Sequence, residues 1–337
     1  MPGNADRIEV VDGVDPRALP DHVLGSTRPL VLRGLAAGWP LVRAGLAGTK
    51  AAIDYLLSFY RQATVGAFLG APEIRGRFFY NEELTGFNYR PVKVKLDTVL
   101  AEILRFEHDP NPGSLYVGST TIETALPGLR AENDLEFGGR DPLASIWIGN
   151  RTRIAAHHDL PDNIAVVAAG RRRFTLFPPE EFENLYIGPM DFTPAGQAIS
   201  LVDFAQPDLG KFPRFAQALE HAHVAELGPG DAIFIPSLWW HHVESLAPLN
   251  VLVNYWWRQS PDFMDTPYHS LFLAMMTVRD LPAEQRAAFR ALFEHYVFGA
   301  SEDKFGHIPK HARRMLEPFD ADRARDLRAF LLQRLNR

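Results

Sequence analysis

Residues 155–179 read AAHHDLPDNIAVVAAGRRRFTLFPP, and the fold turns on how this stretch divides. Two short β-rich runs, NIAVVAA and RRFTLF, are separated by a turn at Gly170. In front of the first run stand His157, His158 and Asp159. With 155–159 extended, successive side chains point to opposite faces, so His157 and Asp159 share one face and His158 takes the other. Such a pair lies ~7 Å apart along the backbone, close enough for an imidazole and a carboxylate to reach one ion. A third ligand from a distant strand, with three positions left open, would complete a two-histidine, one-carboxylate metal triad.

A candidate third ligand comes from PSLWWHHVES (236–245), so four of the chain's 12 histidines stand in two adjacent pairs. His241 lies 82 positions beyond Asp159, room for several strands. Parity selects one member of this second pair but cannot tell His241 from His242. Trp239 and Trp240 read as core packing.

Working outward, SLYVGS, ASIWIGN, NIAVVAA, RRFTLFPP, HVAELGPGDAIFIPS and LNVLVNYWW are short β-rich runs punctuated by Gly and Pro. Many such runs with turn signals between them predict an antiparallel sandwich or barrel over 113–260. Residues 1–112 read as a mixed α/β portion packed on that core, with strands at DRIEVVD and RPLVLRGL and helices at GTKAAIDYLLSFYR and from Asp97 to Phe106. Residues 261–337 read as a helical segment, with EDKFGHIPKHARR as a solvated connector. The expected fold is therefore mainly β with flanking α.

A chain of 337 residues with 46% hydrophobic content can bury a large core. Its formal net charge of −6 weighs against a dedicated nucleic-acid binder, and no stable nucleic-acid binding is expected. With no cysteine, thiolate metal sites, disulfides and cysteine nucleophiles are excluded, leaving His, Asp and Glu to hold any metal. The opening MPGNADRIEVVDGVDPRALP has no apolar run behind a basic start, and no stretch approaches 18 apolar residues. A cytoplasmic protein without membrane attachment is expected.

Three blocks, AAHHDLPDNIAVVAAGRRRFTLFPP, GDAIFIPSLWWHHVESL and LNVLVNYWW, resemble the cupin-like branch of the JmjC family of Fe(II)/2-oxoglutarate-dependent oxygenases. The chain is similar in particular to the asparaginyl hydroxylase that inhibits hypoxia-inducible factor. Weaker support comes from RPLVLRGLAAGWP, FFYNEELTGFNYR and SLYVGS, so the likeness spans most of 25–260. It implies a double-stranded β-helix (cupin, jelly-roll) core. It also implies Fe(II) held by His157, Asp159 and His241, which agrees with parity at the first pair and chooses between the histidines of the second.

The cosubstrate 2-oxoglutarate needs a cation for its distal carboxylate, because a buried carboxylate without a partner is costly. The family places a basic residue at Arg172; alternation sets Arg172, Phe174 and Leu176 on one face and Arg171 and Arg173 on the other. The resemblance adds Tyr116 as a phenol donor, Asn163, Asn254 near the metal, and Trp256 at the substrate mouth. One departure stands out: the family's usual Thr, three residues before the first His ligand, is Ile154 here, in a segment one residue shorter. Thr152, after a shift, or the extra donors of Arg172 could replace it.

The resemblance implies hydroxylation: 2-oxoglutarate and O2 become succinate and CO2 while a C–H bond is oxidised. Two alternatives are a cupin metalloenzyme of another class, an isomerase or hydrolase, and a non-catalytic metal- or ligand-binding cupin module. The expected substrate is a protein or peptide side chain, with a small molecule less favoured and histone demethylation not expected, since no reader module accompanies the core. Family members dimerise through C-terminal helices. Apolar stripes at Leu327, Phe330, Leu331 and Leu335, and at Phe289, Leu292, Phe293 and Tyr296, lead to the expectation of a homodimer formed by residues from about 265 onward.

Overall fold

The apolar run after the H-x-D motif forms a strand, Asp162–Ala169, buried at all eight positions. Ile164, Val166 and Ala168 join one hydrophobic cluster and Ala165 and Val167 a second, so the strand separates two cores. The structure, a computed structural model, describes residues 6–194 and 196–336. It divides into two compact units, Met1–Arg258 and Gln259–Arg337.

The strands of the first unit are β1 (Asp6–Arg7), β2 (Glu9–Asp12), β3 (Leu30–Arg33), β4 (Thr64–Gly70), β5 (Arg77–Phe78), β6 (Tyr89–Lys95), β7 (Ser114–Thr121), β8 (Leu143–Gly149), β9 (Arg153–His157) and β10 (Asp162–Ala169). They continue as β11 (Arg172–Phe177), β12 (His223–Leu227), β13 (Ala232–Ile235), β14 (Trp240–Ser245) and β15 (Asn250–Trp257). Nine form a sheet ordered β2-β3-β13-β10-β15-β8-β7-β4-β6, and six a sheet ordered β1-β12-β11-β14-β9-β5. Strands from 143 to 257 are shared between the two sheets, and the two inner faces meet in the cluster of Ala165, Val167, Ile233 and Leu252 with Phe174, Leu176 and Val243. This is the jelly-roll core expected from the sequence. Residues 1–112 do more than pack on it: β2, β3, β4 and β6 extend the larger sheet at both ends, and β5 edges the smaller.

Both outer faces are covered. Helices Pro40–Ala47, Thr49–Phe59 and Leu96–Phe106 lay Leu41, Ile53, Leu56, Val99, Leu100 and Ile103 over the larger sheet. Leu185, Phe215 and Ala218 cover the smaller one through Phe177 and Trp240. The second of these layers covers the outer face of the sheet that carries the histidines on β9 and β14.

In the second unit, helices Pro267–Thr277, Ala283–Phe293 and Ala321–Leu335 contain no buried residue among those described. The stretch read as a connector runs through short 3₁₀ turns, and its Phe305 is buried, with Tyr296 stacked on it at 6.0 Å.

Gly170 makes the β10–β11 turn at φ +78°, and a Cβ there would come within 2.3 Å of the Leu249 carbonyl oxygen. Left-handed backbone costs a non-glycine residue about 1–2 kcal/mol before any clash. Gly170→Ala is therefore expected to destabilise the protein by about 2 kcal/mol or more, read as a lower urea midpoint.

Candidate metal and cosubstrate site

β14 lies between β9 and β11, and its register sets His241 opposite His157 on one side and opposite Leu176 on the other. The two imidazoles are 4.3 Å apart between ring centroids. Asp159 follows the end of β9, and its carbonyl accepts from the Leu238 N–H at 2.9 Å, tying it to the turn that leads into β14. One ligand atom from each of His157, Asp159 and His241 falls within 4.8 Å of the others, and among the described residues no second such group forms.

The imidazoles are oriented for a metal. His157 Nδ1 meets the Ala155 carbonyl at 2.9 Å and His241 Nδ1 the Trp239 carbonyl at 3.0 Å. A carbonyl only accepts, so Nδ1 carries the proton and Nε2 keeps its lone pair. His241 Nε2 lies 3.7 Å from Asp159 Oδ2. Burial, followed by the neighbouring His157, holds the His241 pKa well below the ordinary imidazole range, so the ring is a neutral donor at neutral pH. The other histidine of each pair faces elsewhere: His158 stands edge-on to Trp240 at 4.4 Å, and His242 lies against Phe204 at 4.6 Å.

A cavity of about 530 Å³ opens on this group. Its walls include all eight residues singled out in the sequence: Tyr116, His157, Asp159, Asn163, Arg172, His241, Asn254 and Trp256. Arg172 is 2% exposed, yet its Nε and Nη2 have no hydrogen-bond partner. Burial lowers its pKa to about 10, which still leaves a cation at neutral pH. A buried, unpaired guanidinium calls for an anion, and burial raises the nearby Tyr116 phenol so that it stays a protonated donor. Arg171 is exposed, while Arg173 pairs with Glu226 at 2.5 Å and Glu244 at 3.5 Å.

Ile154 also lines the cavity. Thr152 is not among the lining residues; its hydroxyl donates to Ser245 Oγ at 3.0 Å. Trp239 and Trp240 are core residues whose indoles donate to the Thr27 and Pro179 carbonyls.

Sequence reading missed Trp147, Phe68, Phe78 and Tyr89, which give the cavity an aromatic wall. Trp147 donates to Asn254 Oδ1 at 2.7 Å, and Asn254 donates to Asn163 Oδ1 at 3.4 Å, so the tryptophan orients both amides. Trp256 stands edge-on to Trp147 at 5.7 Å. The signal for Trp147 was its place as the one large ring in ASIWIGN, two positions from Ser145 on a strand whose parity was not used.

An open His-Asp-His group inside two facing β-sheets defines a cupin-type metal centre. The chain belongs to the cupin-like domain family, which matches residues 16–263. This upholds the resemblance to the cupin-like JmjC branch. It is 35% identical over 135 residues to the HSPB1-associated protein 1 of Rattus norvegicus, covering 39% of this chain and 28% of that protein. It is 30% identical over 189 residues to the lysine-specific demethylase JMJ31 of Arabidopsis thaliana, covering 51% and 34%. It is 32% identical over 145 residues to the tRNA wybutosine-synthesizing protein 5 of Mus musculus, covering 39% and 43%. The chain spans less than half the length of each of these relatives.

The geometry separates the paired histidines. Titrated with Mn(II) by calorimetry, His157→Ala is expected to weaken binding by more than the roughly 10–100-fold that loss of a supporting outer residue costs, and His158→Ala by no more than about threefold. Equal losses at the two positions would refute the assignment of faces.

Proposed function

We propose that this chain is an Fe(II)- and 2-oxoglutarate-dependent oxygenase that hydroxylates a protein or peptide side chain. The observation that carries the reading is the pairing, in one cavity, of an open His-Asp-His group with a buried guanidinium whose Nε and Nη2 are unbonded. The first suits a hard divalent ion with positions to spare, and the second suits the far carboxylate of a short dicarboxylate. Fe(II), when bound, supplies the activation of O2 that the protein's own groups cannot.

The residues divide the remaining work. His157, Asp159 and His241 would hold the ion, the two Nε2 atoms presented by β9 and β14 and the carboxylate by the turn that follows β9. Arg172 would neutralise the distal carboxylate, its extra donors standing in for the family's threonine, and Tyr116 would donate a further hydrogen bond. Asn163 and Asn254, fixed by Trp147, present polar edges beside the metal group. Trp256 and the aromatic wall exclude water and shape the mouth.

A protein side chain is favoured on charge: a net −6 works against holding a polyanion, which draws on an excess of Lys and Arg. One relative's name specifies a lysine of a protein substrate and another's a tRNA, so the family alone does not decide. Cytoplasmic residence accords with the cysteine-free composition. Among the described residues, no helix is long and apolar enough to cross a membrane.

Succinate release on 2-oxoglutarate, O2 and a peptide pool tests the reaction; no Fe(II)-dependent succinate from any pool would end it. In the same assay Arg172→Ala should raise the apparent KM for 2-oxoglutarate by about 10–100-fold, as expected for a lost charged hydrogen bond. Arg171→Ala and Arg173→Ala should change it by no more than about twofold. Equal effects would show that the inward arginine is wrongly chosen.

The reading includes a homodimer formed by the C-terminal helices. Phe330, Leu331 and Leu335, with Phe289, Leu292 and Tyr296, are all more than a third exposed, a larger apolar surface than monomers usually leave bare. Light scattering should give twice the chain mass, and Leu327→Arg/Leu331→Arg should return the monomer. A wild type monomeric at micromolar concentration excludes the dimer.

A further inference from the structure

Residues 188–196 read GPMDFTPAG, two glycines enclosing a segment rich in proline. Pro194 lines the cavity. The base of the segment is fixed by the bridge between Ile187 and Ser200, with Gly188 N donating to the Ile199 carbonyl at 2.9 Å and Leu201 N to that of Tyr186 at 3.0 Å. Between those ties, the described residues of 189–198 make no backbone–backbone hydrogen bond. Their one internal bond runs from Gly196 N to Thr193 Oγ1.

What holds the segment comes from another part of the chain. The Tyr80 hydroxyl donates to the Phe192 carbonyl at 2.5 Å, and the Tyr89 hydroxyl to the Pro194 carbonyl at 3.1 Å. The Phe87 ring stacks on Phe192 at 4.9 Å and on Tyr89 at 5.2 Å. These three rings stand on a hairpin that is internally braced. Asn81 Oδ1 accepts from the N–H groups of Thr85 and Gly86, Asn88 Oδ1 accepts from Phe79 N–H, and Tyr80 bridges to Phe87. A rigid post thus grips a segment that has no secondary structure of its own. Gly196, at φ +89° with nothing within 4 Å of where a Cβ would be, supplies a free hinge.

We propose that Pro189–Pro194 is a hinged cover for the cavity, latched by the Tyr80 and Tyr89 hydroxyls and sealed by Phe87 on Phe192, and that ligands enter when it lifts. What passes beneath it rests on the oxygenase reading, whereas the motion of the cover does not. Lifting breaks two side-chain hydrogen bonds and the two ring contacts of Phe192, with Phe87 and Tyr80, and leaves every strand intact. Tyr89 is both cavity wall and latch, so a ligand that displaces its ring also releases Pro194.

The cysteine-free sequence permits a clean test, because Phe87→Cys/Phe192→Cys would carry the protein's only thiols. Mild oxidation should join them. Trp147 and Trp256 line the cavity and are two of the chain's six tryptophans, so joining should remove up to about a third of the acrylamide quenching of fluorescence. It should also slow association of 2-oxoglutarate with the Mn(II)-loaded protein by at least about 10-fold, and dithiothreitol should reverse both effects. Tyr80→Phe, which lies outside the cavity lining, keeps the ring and removes one latch bond, and should raise association and dissociation rates together by roughly 2–10-fold with Kd unchanged. The cover is refuted if the thiols do not join, if joined and reduced forms behave alike, or if Tyr80→Phe changes Kd without changing the rates in parallel. Should 2-oxoglutarate bind no form, the cosubstrate reading falls and the quenching comparison decides the cover alone.

Discussion

The register of β14 between β9 and β11 is the constraint on which the site depends. That one ladder brings His241 against His157 and, four residues further along, Ser245 against Arg172. A slip of one residue would turn every β14 side chain over, presenting His242 to the cavity and His241 to Phe204. Two indoles oppose such a slip. Trp239 belongs to the core between the sheets and donates to Thr27 at 3.2 Å, and Trp240 belongs to the core outside the smaller sheet and donates to Pro179 at 3.3 Å. Anchored on opposite faces, the adjacent tryptophans pin the strand just before its histidine pair. Their part in the site is to fix register, without contact with the ion or the cavity.

The cavity is also electrostatically divided. Among the described lining residues Asp159 is the only carboxylate and Arg172 the only guanidinium, with the His157 and His241 imidazoles beside the former and a protonated phenol near the latter. Placing an arginine where water cannot reach its Nε and Nη2 is costly unless an anion arrives. The protein tolerates that cost because Arg172 is held by its ladder on β11 between β12 and β14, not by its side chain's own bonds. Stability at this position is supplied by the backbone, which leaves the guanidinium uncommitted.

Much of this was legible in the sequence because strands impose a period of two. Alternation alone placed His157 with Asp159 and Arg172 apart from its two neighbours, since His157 and Arg172 lie on strands with one face inward and the chain keeps that alternation to Asp159. It could not choose between His241 and His242, because no nearby residue marked which face of β14 was inward; the resemblance made that choice. The aromatic wall was harder to see. Phe68, Phe78 and Tyr89 come from the first 112 residues, and only the pairing of β4 with β7, of β6 with β4 and of β5 with β9 brings them to the cavity. Such non-local pairing leaves no local trace. Phe305 was hidden for the opposite reason, as an isolated apolar residue, with only Ile308 near it, in a largely polar stretch.

The burial of β10 on both faces has a consequence for how the chain is made. Its neighbours are β13 and β15, with Asn163 paired to Ile235 on one side and Trp256 on the other. Both partners are synthesised more than about 70 residues later, an interval of several seconds at ~5–20 residues per second. Through that interval the uncharged run Ile164–Ala169 lacks both flanking strands and fits the description of a segment that pairs with copies of itself. The three arginines at 171–173 follow it immediately, placing concentrated charge beside the run at the time it is most exposed. One of those charges, that of Arg172, ends buried at the cavity wall, while Arg171 and Arg173 stay nearer the solvent.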